Sequence, residues 1–171
     1  METWDAIRSR RNVRSFSEQP IEAEQLDRIL EAARRTPSAR NWQPWDFIVV
    51  TDRDELRELA KVWTYATHVA SSAATIALIT PLLDDPQKQA IAQYDLGQAT
   101  MSIMLAAADL GLGTGLAAVG DQDLARRLLG FPDDHVCAYL IAAGHPADRP
   151  LAPLTKINRR PFDEVVHRSR W

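Results

Sequence analysis

Apolar residues in this chain recur at two spacings, and the alternation between them lays out the expected elements. Leu26, Ile29, Leu30 and Ala33 fall three and four apart, as on one face of a helix, and Phe47-Ile48-Val49-Val50 follows as a short apolar run that reads as a strand. Asp52 and Glu55 have the spacing of a capping box, ahead of a helix that carries Leu56, Leu59, Ala60 and Trp63 inward. A buried strand, Ala74-Thr75-Ile76-Ala77-Leu78-Ile79-Thr80, is ended by Pro81. From about Gln87 to Leu112 the pattern is helical but apolar on most sides, with small residues at Gly97, Ala99, Ser102 and Ala106 to Ala108. Such a helix is enclosed either by lipid or by protein, and Tyr94, Asp95, Gln98 and Asp109 argue against lipid. Its small side chains would let a second helix approach closely, which makes it the expected dimer contact. Gly111, Gly113 and Gly115 are expected to stop it, leaving Leu116-Ala117-Ala118-Val119 as a short strand that ends at Gly120. A helix from Asp121 or Asp123 carries Leu124, Leu128 and Leu129 to Gly130 and Pro132, and Val136 to Ala143 reads as the last core strand. Beyond Gly144-His145-Pro146, the prolines at 150, 153 and 161 with few apolar residues in register read as an arm lying over another surface.

Composition narrows the function classes. At 171 residues and 46% hydrophobic, the chain suits one domain over residues 1–171, with no linker, repeat or low-complexity tract. Net charge is -3 and pI about 5.8, and no helix shows a sustained basic face, so a nucleic-acid partner is not expected. No apolar stretch is long enough for a membrane span, and Met1-Glu2-Thr3-Trp4-Asp5 lacks the regions of an export signal, so the expected location is cytoplasmic, with no membrane partner. A lone cysteine, Cys137, sits in an apolar run and reads as a buried, inert thiol. His68, His135, His145 and His167 show no i+3 or i+4 pairing and are expected on surfaces or loops. There is no Ser-His-acid set with a nucleophile elbow, no HExxH or CxxC spacing and no phosphate-binding Walker loop, hence no expected catalytic side chain or metal site. A protein without its own acid, base or nucleophile can still run redox chemistry when a cofactor holds the electrons.

Two groups of residues look built to hold such a cofactor. Thr36-Pro37-Ser38-Ala39-Arg40-Asn41-Trp42-Gln43-Pro44-Trp45 joins a helix to a strand, and loops on rigid elements often carry binding sites. Backbone amides near Ser38 and Asn41, with the Asn41 and Gln43 side chains, can meet the edge of a heteroaromatic ring while Pro37 lies on its face. The plainer alternative is a proline-rich helix stop with two core tryptophans. Near the N-terminus Arg8, Arg10, Arg11 and Arg14 crowd together with Asn12 and Ser15, and near the other end Lys156, Arg159 and Arg160 form a second basic group. Guanidinium groups make paired, charge-assisted hydrogen bonds to phosphate oxygens, so a phosphate clamp is plausible; a solvated basic face is the alternative.

Together these segments resemble the FMN-dependent nitroreductase family along nearly the whole chain. The resemblance rests on Arg10-Arg11-Asn12-Val13-Arg14-Ser15-Phe16, on Pro37-Ser38-Ala39-Arg40-Asn41-Trp42-Gln43-Pro44-Trp45-Asp46-Phe47, on Ala106 to Thr114, and on Arg159-Arg160-Pro161-Phe162-Asp163-Glu164-Val165-Val166. It implies an α+β fold with a central mixed or antiparallel sheet flanked by helices, a long buried central helix and a C-terminal arm that embraces a second subunit. It also implies FMN at a homodimer interface, NADH or NADPH as donor, and a small-molecule acceptor such as a nitroaromatic or a quinone, reduced by a ping-pong exchange. Arg10, Arg11, Asn12 and Arg159, with Arg160 and Lys156 as further candidates, would then hold the 5′-phosphate. Arg14 would reach the pyrimidine edge, where positive charge stabilises the anionic reduced ring. Pro37, Ser38, Ala39 and Asn41 of the other subunit would line the ring, and the backbone of Val119 and Gly120 would meet its N5 side. Asn12 departs from the serine usual in the family but keeps a short polar group. Trp42 is bulky for its position and the chain is short for the family, so the acceptor is expected to be small or loosely specified. Two other classes fit less of the sequence: a flavin or deazaflavin carrier that does not turn over, and a basic-armed interaction protein without flavin.

Overall fold

A computed structural model of the chain describes residues 1–155 and 158–171; Lys156, one of the expected phosphate ligands, lies outside them. The elements run α1 (Thr3–Ser9), α2 (Ala23–Arg34), β1 (Asp46–Val50), α3 (Arg53–Leu59), β2 (Ala74–Pro81), α4 (Pro86–Asp109), β3 (Gly113–Ala118), α5 (Gln122–Leu129), β4 (His135–Gly144) and α6 (Phe162–Val165), with short 3₁₀ turns at Ala39–Asn41, Ala60–Val62 and Thr67–Ser71. Helix starts follow the capping chemistry. The Asp52 carboxylate accepts from the amides of Asp54 and Glu55 at 2.9 and 3.0 Å, and Asp85 accepts from Gln87 and Lys88 at 2.9 and 3.3 Å. Helix α2 opens on a reciprocal box between Glu22 and Gln25, and α5 closes on Gly130 at φ 72°.

The four strands form one sheet in the order β1-β2-β4-β3, and every neighbouring pair is antiparallel. Alternate side chains of β2 and β4 enter different cores. Ile76, Leu78 and Ile141 join Ile29, Ala33, Trp45, Leu96 and Ile103 under α2 and α4, whereas Ala77, Ile79, Cys137 and Leu140 join Leu56, Leu59, Val62 and Val69 on the opposite face. Burial on both faces explains why β2 reads as an unbroken apolar run rather than an alternating one.

Trp63 is not carried inward by the helix after Asp52: α3 ends at Leu59 and Trp63 is 40% exposed. Three further expectations need correction. Helix α4 ends at Asp109, with Gly111 in the left-handed region at φ 76°, but Gly113 and Gly115 lie inside β3 rather than in a helix stop. They are glycines because the N-terminal segment crosses the strand there. The Val13 amide donates to Thr114 O at 2.8 Å, and a Cβ on Gly115 would stand 2.3 Å from Val13 O and 2.9 Å from the His68 ring. Second, α4 is not enclosed all round within the chain: Ala92, Asp95, Leu96, Ala99 and Ile103 are buried, while Tyr94 is 72% and Met101 44% exposed. Third, His68 is not on the surface but 4% exposed behind β3.

The arm runs back along the N-terminal segment before leaving the body. Ala147 N donates to Ser15 O at 3.0 Å, Arg11 Nη2 donates to Asp148 Oδ1 at 2.7 Å and to Arg149 O at 2.8 Å, and Leu154 N donates to Arg8 O at 3.1 Å. Past that point Phe162, Val165 and Trp171 are exposed. Among the described residues no helix is long and apolar enough to cross a membrane.

Candidate functional site

The Pro37–Trp45 loop is held in an unusual backbone shape. Arg40, Asn41 and Gln43 all have positive φ, at 54°, 57° and 54°. Non-glycine residues are uncommon in this region, and such strain persists only where the surroundings impose it. Here they do. Asn41 N and Trp42 N donate to Ser38 O and Ala39 O at 3.0 and 3.1 Å, and Gln43 N donates to Ser38 Oγ at 2.9 Å. From α4, the Asp95 carboxylate, 2% exposed, accepts from Ala39 N at 2.9 Å and from Gln98 Nε2 at 3.2 Å. From β2, Thr80 Oγ1 donates to Pro44 O at 2.9 Å. Asp95 was visible in the sequence only as an argument against lipid; its role as the anchor of the loop is seen once α4 lies beside it. Pro37, Ser38 and Ala39 then form one wall of an open trough whose other wall is the first half of α4, including Tyr94, Asp95 and Gln98.

The arginines from the two chain ends divide into separate roles. Arg10 and Arg159 line a single cleft of about 510 Å³ with Arg8, Asn158, Met101 and Leu105, and neither Arg10 nor Arg159 forms an ion pair among the described residues. Arg11 instead fastens the arm through Asp148, whose carboxyl it holds below the usual range. Arg160 turns to Glu164, donating to its backbone carbonyl at 2.9 Å. Asn12 and Arg14 are exposed on the segment crossing β3, outside that cleft.

Val119 packs against the core beneath α3 and α5. The Gly120 amide donates to Val62 O at 2.9 Å, and a Cβ there would meet the Trp63 ring at 2.1 Å, so the glycine is required by Trp63. His68 lies against Gly115 of β3. Burial pushes its pKa down and the Arg14 guanidinium adds to this; the Gly115 and Tyr65 backbone pulls the other way, although neither ring nitrogen meets a partner at hydrogen-bonding geometry. Burial also drives the Cys137 thiol up to about 12, as expected of an inert cysteine. No group of three or more metal-ligating side chains occurs among the described residues.

The model of the Nitroreductase family matches residues 7–67 and 61–145, a span that holds the crossing segment, the strained loop, α4 and the sheet. The chain belongs to the Nitroreductase family. An Archaeoglobus fulgidus protein that carries the provisional name NADH dehydrogenase/NAD(P)H nitroreductase is 33% identical over 170 residues, 96% of each chain. A Bacillus subtilis protein named FMN reductase [NAD(P)H] is 27% identical over 99% of this chain and 74% of its own. The crystal structure of a Parabacteroides distasonis protein under the same provisional name as the first superposes with a TM-score of 0.84 at 27% identity, over 100% of this nitroreductase-family chain and 99% of its own. The expected α+β fold and family are therefore borne out.

Proposed function

We propose that this chain is an FMN-dependent oxidoreductase that takes electrons from NADH or NADPH and passes them to a small acceptor, with the flavin held between two copies of the chain. The observation that carries this reading is the cleft in which Arg10 and Arg159, from opposite ends of the sequence, face one space without carboxylate partners. Uncompensated guanidinium groups facing one cavity suit a phosphate dianion, which bonds them in charge-assisted pairs. When bound there, FMN supplies the two-electron chemistry that this chain's own side chains lack.

The arrangement of the two halves favours a dimer. The loop trough opens beside Tyr94 and Gln98, and the arginine cleft beside Met101 and Leu105, so both lie along one partly exposed face of α4, about 10 Å apart at 1.5 Å per residue. At the trough end of this face is Gly97, where a Cβ would meet nothing within 4 Å. A two-fold axis beside Gly97 and Gln98 sets each arginine cleft opposite the other chain's loop trough. One flavin then bridges the chains, its phosphate on Arg10 and Arg159 and its ring against Pro37, Ser38, Ala39 and Asn41 of the second copy. Arg14, free of ion pairs among the described residues, supplies positive charge for the reduced ring. Asn12, Arg160 and Lys156 remain proposed phosphate neighbours, and Arg11 acts by fixing the arm that carries Arg159. Val119 and Gly120 lie against the N5 side through backbone held by Val62 and Trp63. Trp4, Ile7 and the arm's Phe162 and Val165 are exposed in the single chain, and exposed apolar groups of this kind support a partner surface. A cytoplasmic location accords with this reading.

The test is anaerobic mixing of FMN-reconstituted protein with NADH or NADPH, followed by a quinone. The visible flavin band bleaches with the donor and returns with the acceptor. Protein that binds FMN but bleaches with neither donor is a flavin carrier, and the oxidoreductase reading fails.

A further inference from the structure

Adjoining the loop trough, with which it shares Ala39, Gln87 and Ile91, lies a second cleft of about 600 Å³ lined also by Arg40, Trp42, Leu83 and Lys88. Its size suits a small organic molecule. Trp42 is 41% exposed, although its neighbours Pro44 and Trp45 are buried, and Leu83 and Ile91 complete an apolar slot for a ring. Two cations stand in this cleft, and neither Arg40 nor Lys88 forms an ion pair among the described residues. The one acid lining it, Asp85, spends a carboxylate oxygen on the amides of Gln87 and Lys88 at the start of α4. With Arg40 and Lys88 set against Asp85, the lining has one positive charge in excess beside an aromatic wall. Arg40 and Trp42 are held there by the strained turn rather than by solvent, because Ser38 O, Ala39 O and Asp95 fix its backbone.

We propose that this cleft is the acceptor subsite and that it selects planar aromatic acceptors bearing an anionic group. The ring lies along Trp42, and the carboxylate or equivalent anion meets Arg40 and Lys88. This deepens the oxidoreductase reading and rests on it.

The experiment uses FMN-reconstituted protein with 4-nitrobenzoate and neutral 4-nitrobenzyl alcohol. Calorimetric titration without a donor is expected to show 4-nitrobenzoate binding more tightly, with an affinity that falls as salt rises. In turnover, the ratio of kcat/KM for the anion over the alcohol is expected to drop about tenfold in the Arg40→Gln, Lys88→Gln double variant, the size of two partly exposed charge pairs taken together. Lys88→Glu alone is expected to lower the ratio further than Lys88→Gln. Equal binding of the two probes, or a ratio unchanged in the double variant, overturns the proposal. So does a change confined to the preference for NADPH over NADH, which assigns the cations to the donor. Failure of the oxidoreductase reading shows differently: neither probe then supports donor oxidation in the unaltered protein.

Discussion

Asp95→Ala is the substitution that separates a loop shaped by its own sequence from one shaped by α4. The carboxylate is buried and accepts two hydrogen bonds, from Ala39 N at 2.9 Å and Gln98 Nε2 at 3.2 Å. Hydrogen bonds to a charged group contribute about 1.5–3 kcal/mol each, and removing a buried carboxylate recovers several kcal/mol of desolvation cost. The difference leaves a net destabilisation of about 2 kcal/mol, since Ala39 N lies at the wall of an open trough and regains water. At about 2–4 °C per kcal/mol for a chain of this size, the apoprotein is expected to melt about 4–8 °C lower. The larger effect falls on the flavin. Three residues with positive φ, at roughly 1 kcal/mol or more each, relax once the tether is gone, and the ring-lining loop must be re-ordered on binding; FMN affinity drops by tenfold or more, at about 1.4 kcal/mol per tenfold. Asp95→Asn keeps an acceptor for Ala39 N, and a flipped Gln98 amide satisfies its new donor, so it should lie within about 1 kcal/mol of the parent. Thermal melts of the three apoproteins and FMN titrations of each make the comparison. An Asp95→Ala protein that melts within a degree of the parent and binds FMN as tightly refutes the tether.

Three further outcomes are expected. Gly115→Ala forces a methyl against Val13 O and the His68 ring, overpacking that costs about 1–3 kcal/mol and lowers the melting point; an unchanged melt contradicts the crossing of β3 by the N-terminal segment. His68 has a depressed pKa in the fold, so the unfolded chain takes up its proton first: stability is full above the ordinary value of 6.5 and falls as pH drops below it, and His68→Gln flattens that part of a pH series of melts. Cys137, with its thiol pushed to about 12, is expected to resist a thiol reagent at pH 8 until denaturant is added; rapid labelling of native protein shows that the β4 interior opens.

Much of this architecture was legible in the chain because its periodicities are strong. The apolar run of β2 and the helix bearing Ile29 and Ala33 appear as read, Asp52 caps α3 through its own carboxylate, and of the two aspartates open for the start of α5 it is Asp121 that caps it. The glycines misled because the reasons for Gly113, Gly115 and Gly120 lie in distant residues, Val13, His68 and Trp63, and a local reading assigns glycine to turns by default. Burial of His68 is likewise long-range: its short turn is covered by β3 and the crossing segment. In the candidate site, the joining of Arg10 to Arg159 was expected from the resemblance, whereas the departure of Arg11 to Asp148 depends on where the arm turns, which no spacing encodes. The mixed state of α4, buried below and exposed at Tyr94 and Met101, was hidden because a face left for a partner and a face in the core are both apolar.

The claim on which the functional account depends is that arginines from both ends of the chain grip the phosphate of a flavin mononucleotide. Parallel calorimetric titrations with FMN and with riboflavin, which lacks only the phosphate, test it most directly. FMN is expected to bind about a hundredfold tighter, as two charge-assisted contacts would give, with the advantage lost in the Arg10→Ala, Arg159→Ala double variant. Equal affinity for the two flavins, or an FMN advantage that survives removal of both arginines, contradicts it.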